Sequence, residues 1–338
     1  MPNGNDFRNH RISLRPMTLQ QLLCFCTLVD CDLRVARTAD ALHTTQPAVS
    51  KMIRALETTV GGDVFMRRGN RLVGLTDTGR EALVLARRAV NAARGIDALV
   101  RHGSGRASGM LRVATTHIHA RYALLPVVQR FARRYPDVSL SISQGAPAQI
   151  VDWVDQGAVD LGVSTPAAVM PPSVVALPSY PIERCLIAAR GHPLLRTRPL
   201  TLAAIARHPL ITYDENFSSG QVVLAAFQRA GITPRIALRA TEAGIIKAYV
   251  AAGVGVAVIQ KRAVDAGRDT DLSVLDTGTL FPPSTTFLTL RHDSFLHGYM
   301  QDFIGMVEPR WKPAALRKAV AAHGSGASPR PARVPPST

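Results

Sequence analysis

The stretch at residues 44–57, TTQPAVSKMIRALE, constrains this chain more than any other. Thr45 suits the N-cap of a helix and Pro47 its first position, where the missing N–H is not needed. Three apolar residues recur at helical spacing and predict the buried face: Val49, Ile53 and Leu56. The opposite face combines an amide, two small side chains and two cations: Gln46, Ala48, Ser50, Lys51 and Arg54. This face favours a helix that lies in a DNA groove, where an amide reads base edges and cations contact phosphates or guanine.

The residues just before this helix predict a second helix that supports it. An apolar stripe repeats at helical spacing: Val35, Ala36, Ala39 and Leu42. Ala39 is small enough to let the two helices cross closely, and His43-Thr44 forms a short turn between them. Helix, tight turn and helix is the helix-turn-helix arrangement. The pattern alone leaves open an ordinary helical hairpin with a polar outer face.

A small hairpin is predicted after Gly61-Gly62, where the second helix ends. Val64-Phe65 and residues 72–75 have the pattern of short strands, and a basic, glycine-containing turn separates them. The arginines of this turn suit phosphates or the minor groove: Arg67, Arg68 and Arg71. The hairpin therefore has the character of a wing beside the helix-turn-helix.

These motifs together resemble one family of bacterial regulators. The spaced residues that carry the resemblance are Ala39, Leu42, Thr45-Gln46-Pro47-Ala48, Ser50, Ile53, Leu56-Glu57, Gly61, Phe65-x-Arg67 and Thr76-x-Thr78-Gly79. They are similar to the winged helix-turn-helix of LysR-type transcriptional regulators, and the similarity continues to about residue 310. It implies that the chain binds promoter DNA as a homodimer or homotetramer, with RNA polymerase as a candidate partner. The expected DNA-binding residues are Thr45, Gln46, Pro47, Ala48, Ser50, Lys51, Arg54, Arg67, Arg68 and Arg71.

A long helix is predicted from Asp77 or Thr78 to about Val100. Its apolar positions follow three-four spacing: Leu83, Ala86, Val90, Ala93 and Val100. Such a stripe is usually core against the chain's own domain. Because this helix follows a small DNA-binding unit and precedes a glycine- and serine-rich hinge at residues 101–109, we favour a dimer-forming coiled coil with Leu83 and Val90 on its seam. The LysR family uses this helix in the same way.

From Met110 the pattern changes to strands that alternate with helices, which predicts open α/β sheets. The length suits two lobes with a cleft between them. The resemblance implies a two-lobe effector domain related to periplasmic binding proteins, in which the chain crosses between lobes near Ser179 and again near Pro282. The predicted domains are a flexible arm (1–17), the winged helix-turn-helix (18–76), the linker helix and hinge (77–106), the effector domain (107–310) and a disordered basic tail (311–338). Within the effector domain, lobe I spans about 107–179 and 283–310, and lobe II about 180–282.

The formal net charge of the 338 residues is +16, and its distribution supports this division. Residues 1–106 carry +7, residues 107–306 carry +4 and residues 307–338 carry +5. An excess of positive charge in residues 1–106 suits contact with a polyanion such as DNA. The first fifteen residues lack a secretory apolar region, and no apolar run has the length of about 20 residues needed to cross a membrane. We therefore expect a cytoplasmic protein without membrane contact, whose four cysteines are reduced thiols.

Hydroxyl-rich junctions between strands and helices are the candidate ligand site, because α/β proteins bind ligands at the carboxyl ends of their strands. The junctions are residues 115–121, 163–165 and 217–220. Their N–H groups and hydroxyls suit an anion at a helix N-terminus, although any single junction is equally explained as an N-cap. His117-x-His119 lacks a third nearby ligand, so we expect no metal. Neither a catalytic triad nor paired carboxylates are evident, and Gly253-Val-Gly255 lacks the third glycine of a dinucleotide fingerprint.

The same region is similar to the CysB-like branch of the family, whose members regulate sulfur assimilation. The matching segments are Ala114-Thr115-Thr116-His117, residues 120–124, 144–150, 209–213 and 231–236. The branch binds sulfur oxyanions or acylated serine-type ligands, and the resemblance places Thr116, Thr165 and Ser218 on its hydroxyl contacts. Ile118 and His119 stand where the branch typically has Thr and Gln, and complete the expected effector-binding set. A bound anion should then favour a charged His119, so that affinity rises as the pH falls.

The sequence thus predicts a one-component transcription factor, not an enzyme, that needs no cofactor and controls sulfur-metabolism genes. Its effector is expected to be a small anion: sulfate, thiosulfate, a sulfonate or an acylserine-like metabolite. The alternative is a small-molecule-binding protein or a transferase that uses the same cleft without DNA function. The helix at Thr45–Glu57 argues against both of these alternatives.

Overall fold

The computed structural model describes residues 17–69, 71–101 and 107–324. The chain forms two compact units, Met1–Asp97 and Ala98–Thr338. The predicted arm up to residue 16, the centre of the predicted hinge and the last fourteen residues lie outside the described parts. Within those parts, no helix combines the length and apolar character needed to cross a membrane.

The first unit contains three short helices, a hairpin and a long helix. Its elements are α1 (Leu19–Asp30), α2 (Val35–Ala41), α3 (Gln46–Val60), β1 (Phe65–Arg68), β2 (Arg71–Leu75) and α4 (Asp77–Arg101). Thr18 and Gln21 form a capping box at α1. Thr45 caps α3 as predicted, with its hydroxyl accepting the Ala48 N–H at 3.4 Å. Pro47 is the second helical residue, one later than predicted, and remains compatible with the first turn.

The core of this unit explains why the helix-turn-helix and the wing fold together. Apolar side chains from all four helices and the hairpin share one cluster, which includes Phe25, Leu28, Val49, Ile53, Leu56, Phe65, Leu83, Ala86 and Val90. The rings of Phe25 and Phe65 meet edge to face with centroids 5.4 Å apart. The three predicted apolar positions of α3 are therefore core residues, and α3 is left with one exposed face.

The predicted dimer seam of α4 is wrong. Leu83 and Val90 are buried within their own unit, so neither side chain is available to a second chain. A different face of α4 is exposed: Leu85, Ala89, Ala92 and Ile96. Leu85 is 62% exposed and Ile96 64% exposed. The spacing of four, three and four residues is that of a coiled-coil seam.

The second unit contains two five-stranded sheets, one in each lobe. The strands of lobe I are β3 (Gly109–Thr115), β4 (Val138–Gln144), β5 (Leu161–Ser164), β6 (Val174–Ile182) and β12 (Ser284–Arg291), in the order β4-β3-β5-β12-β6. The strands of lobe II are β7 (Arg184–Ala189), β8 (Leu210–Tyr213), β9 (Ile236–Ala240), β10 (Val256–Gln260) and β11 (Leu272–Asp276), in the order β11-β7-β10-β8-β9. The β3, β4 and β5 strands are parallel, as are β8, β9 and β10, whereas β12 and β7 run antiparallel to their neighbours.

Helices cover both sheets, as the alternating pattern predicts. In lobe I they are α5 (Leu125–Arg134), α6 (Pro147–Asp155), α10 (Gly298–Val307) and α11 (Pro313–Gly324). In lobe II they are α7 (Leu202–Ala206), α8 (Ser218–Arg229) and α9 (Ala243–Ala251). Residues 119–134 form two helical elements, because a π-helical turn at His119–Ala123 precedes α5. Such turns occur frequently at functional sites.

The chain crosses between the lobes at Glu183 and again within residues 277–283. The first crossing is later than the predicted Ser179, because β6 continues to Ile182. The buried side chain of Arg184 joins the two crossings by donating hydrogen bonds to Pro282 O at 3.0 Å and to Ser284 Oγ at 2.8 Å. This contact fixes the second strand of the hinge against the first.

The predicted disordered tail is wrong for residues 313–324, which form α11. Leu316 and Val320 of this helix are buried in the core of lobe I, beside Phe303. The side chain of Trp311, just before the helix, donates to Pro178 O at 2.8 Å. Lobe I therefore extends to at least Gly324, well beyond the predicted boundary at residue 310.

Candidate DNA-binding surface and effector cavity

The exposed face of α3 carries the predicted DNA contacts. Thr45, Gln46, Pro47, Lys51 and Arg54 are exposed, and Ala48 and Ser50 are half-buried. Within the described part of the chain, neither Lys51 nor Arg54 forms an ion pair, so both cations remain available to phosphates or base edges. The structure thus brings the seven predicted residues of this helix together on one accessible surface.

Arg67 has a role that the sequence did not indicate. Its Nη2 lies 2.7 Å from Glu57 Oε2, and the other oxygen of Glu57 accepts the Val64 N–H at 3.3 Å. The side chain of Glu57 is nearly buried, so this contact ties α3 to β1. Arg67 therefore already has a carboxylate partner while 40% of its side chain stays exposed, and its phosphate contact stays a prediction. The acidic residue Glu57, next to the apolar Leu56 in α3, was the sequence signal that could have indicated a pairing with a basic residue.

Arg68 and Arg71 remain exposed at the tip of the wing, as predicted. Their Cα atoms face each other across the last register pair of the hairpin. Neither side chain forms an ion pair with the residues that the structure describes. The wing therefore presents two cations close together.

The sequence motif after the wing has a direct structural explanation. The Thr76 hydroxyl donates to Asp63 O at 2.8 Å and accepts the Gly79 N–H at 2.9 Å, which caps the start of α4. A side chain at Gly79 would clash, because its Cβ would lie 1.9 Å from Val64 O. These contacts hold the long helix against the end of the hairpin.

A cavity lies between the two lobes of the second unit. All five predicted effector-binding residues line it: Thr116, Ile118, His119, Thr165 and Ser218. Its other lining residues are His117, Pro147, Tyr213, Phe217, Ser219, Thr241 and Gln260. The cavity is narrow, with a volume of about 20 Å³. Tyr213, Thr241 and Gln260 were not predicted to belong to this site, because they end or follow strands of lobe II and come near the lobe I residues only in the folded chain.

The topology explains why these residues meet. Thr116 and Thr165 directly follow the parallel strands β3 and β5, and Thr241 and Gln260 stand at the ends of β9 and β10. The carboxyl ends of parallel strands share one edge of each sheet, and the two edges face each other across the cavity. Thr165 Oγ1 and Ser218 Oγ are 2.6 Å apart, so a hydroxyl pair joins lobe I to lobe II.

The polar groups of the cavity suit an anion bound by neutral donors. The hydroxyls of Thr116 and Tyr213 are buried, with 6% and 3% of each residue exposed, and have no hydrogen-bond partner among the described residues. A buried polar group without a partner is costly, which favours a ligand that accepts its hydrogen. The helix α8 starts at Ser218 without a side-chain cap, which is an arrangement that suits an anion at its N-terminus. Among the residues that the structure describes, no lysine, arginine or carboxylate lines the cavity.

His119 does not carry the charge that the sequence analysis expected. It is only 2% exposed, and its Nδ1 lies 2.8 Å from the Tyr180 hydroxyl. Burial, together with the nearby positive charge of Arg262, lowers the pKa of His119 to about 3. The imidazole is therefore neutral near neutral pH, and the expected increase of anion affinity as the pH falls through 6.5 has no basis at this residue.

His117 lies at the mouth of the cavity instead of beside His119. Its Nδ1 is 2.9 Å from Gln144 Oε1, and its Nε2 approaches Glu242 Oε2 at 3.2 Å without the alignment of a hydrogen bond. Gln144 belongs to lobe I and Glu242 to lobe II, so His117 contacts both sides of the opening. Among the described residues, no group of three His, Cys, Asp or Glu side chains is placed to hold a metal ion.

Ile118 packs across the lobes. Together with Tyr122 it contacts the apolar cluster of lobe II that contains Ile211 and Ile246.

Burial raises the pKa of the Cys24 and Cys185 thiols to about 11 each, which disfavours their reactive thiolate forms. Neither of these two cysteines is therefore suited to redox sensing.

Comparison with known proteins gives matches to both units. Residues 19–80 match the family model "Bacterial regulatory helix-turn-helix protein, lysR family", and residues 104–312 match the model "LysR substrate binding domain". The chain is 38% identical over 303 residues to the transcriptional regulator CysB of Haemophilus influenzae, covering 90% of this chain and 94% of that protein. It is 40% identical over 308 residues to the regulator SsuR of Burkholderia cenocepacia, covering 90% and 100%. The crystal structure of the cofactor-binding domain of the Cbl transcriptional regulator superposes with a TM-score of 0.60 at 32% identity, covering 63% of this chain and 94% of that one.

Proposed function

The chain belongs to the LysR family of transcriptional regulators, and we propose that it controls sulfur-metabolism genes in response to a small sulfur-containing anion. Members of this family bind promoter DNA and small-molecule effectors and assemble as oligomers; they are not enzymes. We also propose the identity of the effector, the residues that bind it, the residues that contact DNA and a cytoplasmic location. Relatives named CysB, SsuR and Cbl support the sulfur connection.

The observation that carries the effector assignment is the pair of buried, unpartnered hydroxyls at Thr116 and Tyr213. With the Thr165–Ser218 pair they give a neutral cavity of donors, which matches sulfate, thiosulfate or the head of a sulfonate. An acylserine-type carboxylate would use the same donors. Pro147 and Phe217 give the cavity an apolar wall, and His117 also lines a wider neighbouring opening of about 620 Å³, which has room for an organic substituent.

Ligand binding would act through the hinge. An anion that contacts Thr116 of lobe I and Ser218 of lobe II is bound better when the lobes are close, and it therefore shifts the population toward the closed arrangement. In an oligomer joined by α4, that shift would change the spacing of the DNA-binding units. We assign the dimer seam to Leu85, Ala89, Ala92 and Ile96.

A two-part experiment tests this function on the full chain. Thermal shift with sulfate, thiosulfate, methanesulfonate and N-acetylserine should give stabilisation by at least one anion, about 2.7 kcal/mol at 100 times its Kd. Thr116→Val keeps the side-chain shape and removes the hydroxyl, so it should weaken the response; Thr58→Val, on the exposed surface of α3, is the matched control. Binding to a sulfur-gene promoter should fall steeply with salt. No response to any of these anions contradicts the effector assignment, and salt-independent or absent DNA binding contradicts the regulator.

A further inference from the structure

His119 is held by a neighbour that the effector site does not include. Its Nδ1 lies 2.8 Å from the hydroxyl of Tyr180, and the two rings meet at 69° with centroids 5.7 Å apart. Tyr180 lies on β6, just before the first crossing at Glu183, and does not line the cavity. Nε2 of His119 makes no hydrogen bond within the described part of the chain, and His119 lines the cavity wall.

A cation from the other lobe packs on Tyr180. The guanidinium carbon of Arg262, in the short turn after β10, lies 4.4 Å from the centre of the Tyr180 ring. Burial raises the pKa of Tyr180 to about 12, so the phenol keeps its hydrogen at neutral pH. His119 is neutral as well. The hydrogen bond between Tyr180 and His119 therefore joins two neutral groups, and only one of them donates the hydrogen.

The position of Arg262 favours Tyr180 as the donor. Its positive charge lowers the pKa of both Tyr180 and His119, and a positive charge beside a phenol makes the phenol O–H a better donor. Tyr180 then donates to Nδ1, and the single ring hydrogen of His119 is on Nε2. His117, the nearest other titratable residue along the turn, is engaged by Gln144 and Glu242 at the mouth.

We propose that Tyr180 is a positioning residue that fixes His119 as the Nε2–H tautomer, so that the cavity offers an N–H donor to an effector oxygen. This inference rests on the proposed function in taking the cavity as the effector site. His119 would then determine specificity, because the effector must place a hydrogen-bond acceptor next to its Nε2–H. The protein needs no charged side chain to bind that acceptor. Because Arg262 belongs to lobe II, the contact also depends on the closeness of the two lobes.

The tautomer can be measured without any ligand. Nitrogen-15 NMR of histidine-labelled full-length protein, with His119 assigned by its loss in His119→Gln, distinguishes a nitrogen that carries hydrogen from one that does not. We expect Nε2 to carry the hydrogen and Nδ1 to be bare from pH 6 to 8. Tyr180→Phe should give averaged signals, whereas Tyr249→Phe, a matched change at an exposed tyrosine of α9, should not. A hydrogen on Nδ1 in the parent protein overturns the proposal, and that result does not depend on whether any variant folds.

The effect on recognition is measured by titration with sulfate and methanesulfonate. His119→Leu removes a hydrogen bond to a charged ligand and should lower affinity about tenfold. His119→Gln, whose amide nitrogen reaches toward the position of Nε2, should rescue part of that loss. Tyr180→Phe should lower affinity in the parent but cause no further loss in His119→Leu, because it acts only through the imidazole.

The outcomes of this titration separate the two ideas. Equal losses from Tyr180→Phe in both backgrounds, or none in the parent, overturn the role of Tyr180. If neither anion binds any of the proteins, the effector assignment fails, while the NMR measurement still decides the tautomer. The inference and the proposed function therefore fail on different observations.

Discussion

Glu57 and Arg67 are joined by a hydrogen bond of 2.7 Å that links the end of the DNA-facing helix to the first strand of the wing. This contact distinguishes one paired arginine of the hairpin, Arg67, from two unpaired ones. The sequence alone shows only a basic turn. All three arginines are exposed, but Arg67 pairs with Glu57, whereas Arg68 and Arg71 form no ion pair with the described residues. The distinction has measurable consequences for both stability and DNA binding.

Replacing the paired arginine should cost stability, and replacing an unpaired one should not. Glu57→Gln and Arg67→Gln each weaken a charged hydrogen bond at a half-buried site, and we expect a loss of about 1–2 kcal/mol of unfolding free energy. Arg68→Gln should leave stability within about 0.5 kcal/mol and reduce the salt slope of DNA binding by about one unit. Chemical denaturation and DNA titrations over a salt series measure the two effects. A larger salt-slope change for Arg67→Gln than for Arg68→Gln would contradict the assignment.

The exposed face of α3 predicts two kinds of DNA contact. Gln46→Ala should cost about 1–3 kcal/mol on the preferred site and relax preference at one base pair, because an amide reads a base edge. Lys51→Ala should instead weaken all sequences similarly and flatten the salt slope. Competition assays with single-base promoter variants distinguish them. Parent-like binding by both variants would show that this face does not enter the groove.

The corrected seam of α4 gives a prediction about assembly. Leu85→Glu with Ile96→Glu places two carboxylates at an apolar contact and should shift the protein toward monomer while leaving its melting temperature nearly unchanged. Leu83→Ala should do the reverse, because this residue is core: it should cost about 2–5 kcal/mol of stability without a direct effect on the seam. Light scattering at micromolar concentration and thermal melting give the two readouts. If the double variant keeps the mass of the parent protein, this face of α4 is not the dimer seam.

His119 predicts a specific dependence of stability on pH. Its folded pKa of about 3 lies below the ordinary value of 6.5, so between these values the unfolded chain binds a proton that the folded chain does not. The contribution is fully present above pH 6.5 and decreases as the pH falls, by about 2 kcal/mol at pH 5. His119→Gln should lose that part of the pH dependence. Stability measured from pH 5 to 8 tests this, and parallel curves for the two proteins would exclude a buried neutral imidazole.

The last described helix should be needed for lobe I. Leu316→Ala removes a fully buried side chain from the core shared with Phe303, and we expect a loss of about 2–5 kcal/mol. Lys318→Ala, at an exposed position of the same helix, is the matched control and should change stability by less than about 0.5 kcal/mol. Equal effects of the two substitutions would mean that α11 does not pack as described.

The sequence by itself determined the local elements and the type of each unit. Thr45, Pro47 and the apolar spacing of α3 define a helix through short-range capping and periodicity, which need no distant partner. The strand-to-helix junctions at Thr116 and Ser218 follow from the alternating pattern, because any parallel sheet places them at its carboxyl edge. Pattern and resemblance together were therefore enough for the helix-turn-helix, the two lobes and the five cavity residues.

Only the tertiary structure decided which of two equivalent faces is buried and which charges are already paired. The spacing of Leu83 and Val90 fits a dimer seam as well as a core, and their burial in the shared core of the first unit settles the choice. Arg67 is paired because folding places it beside Glu57, and His119 becomes neutral because folding buries it near the positive charge of Arg262. Burial and long-range charge depend on neighbours that are distant in the chain, so a local pattern cannot contain them.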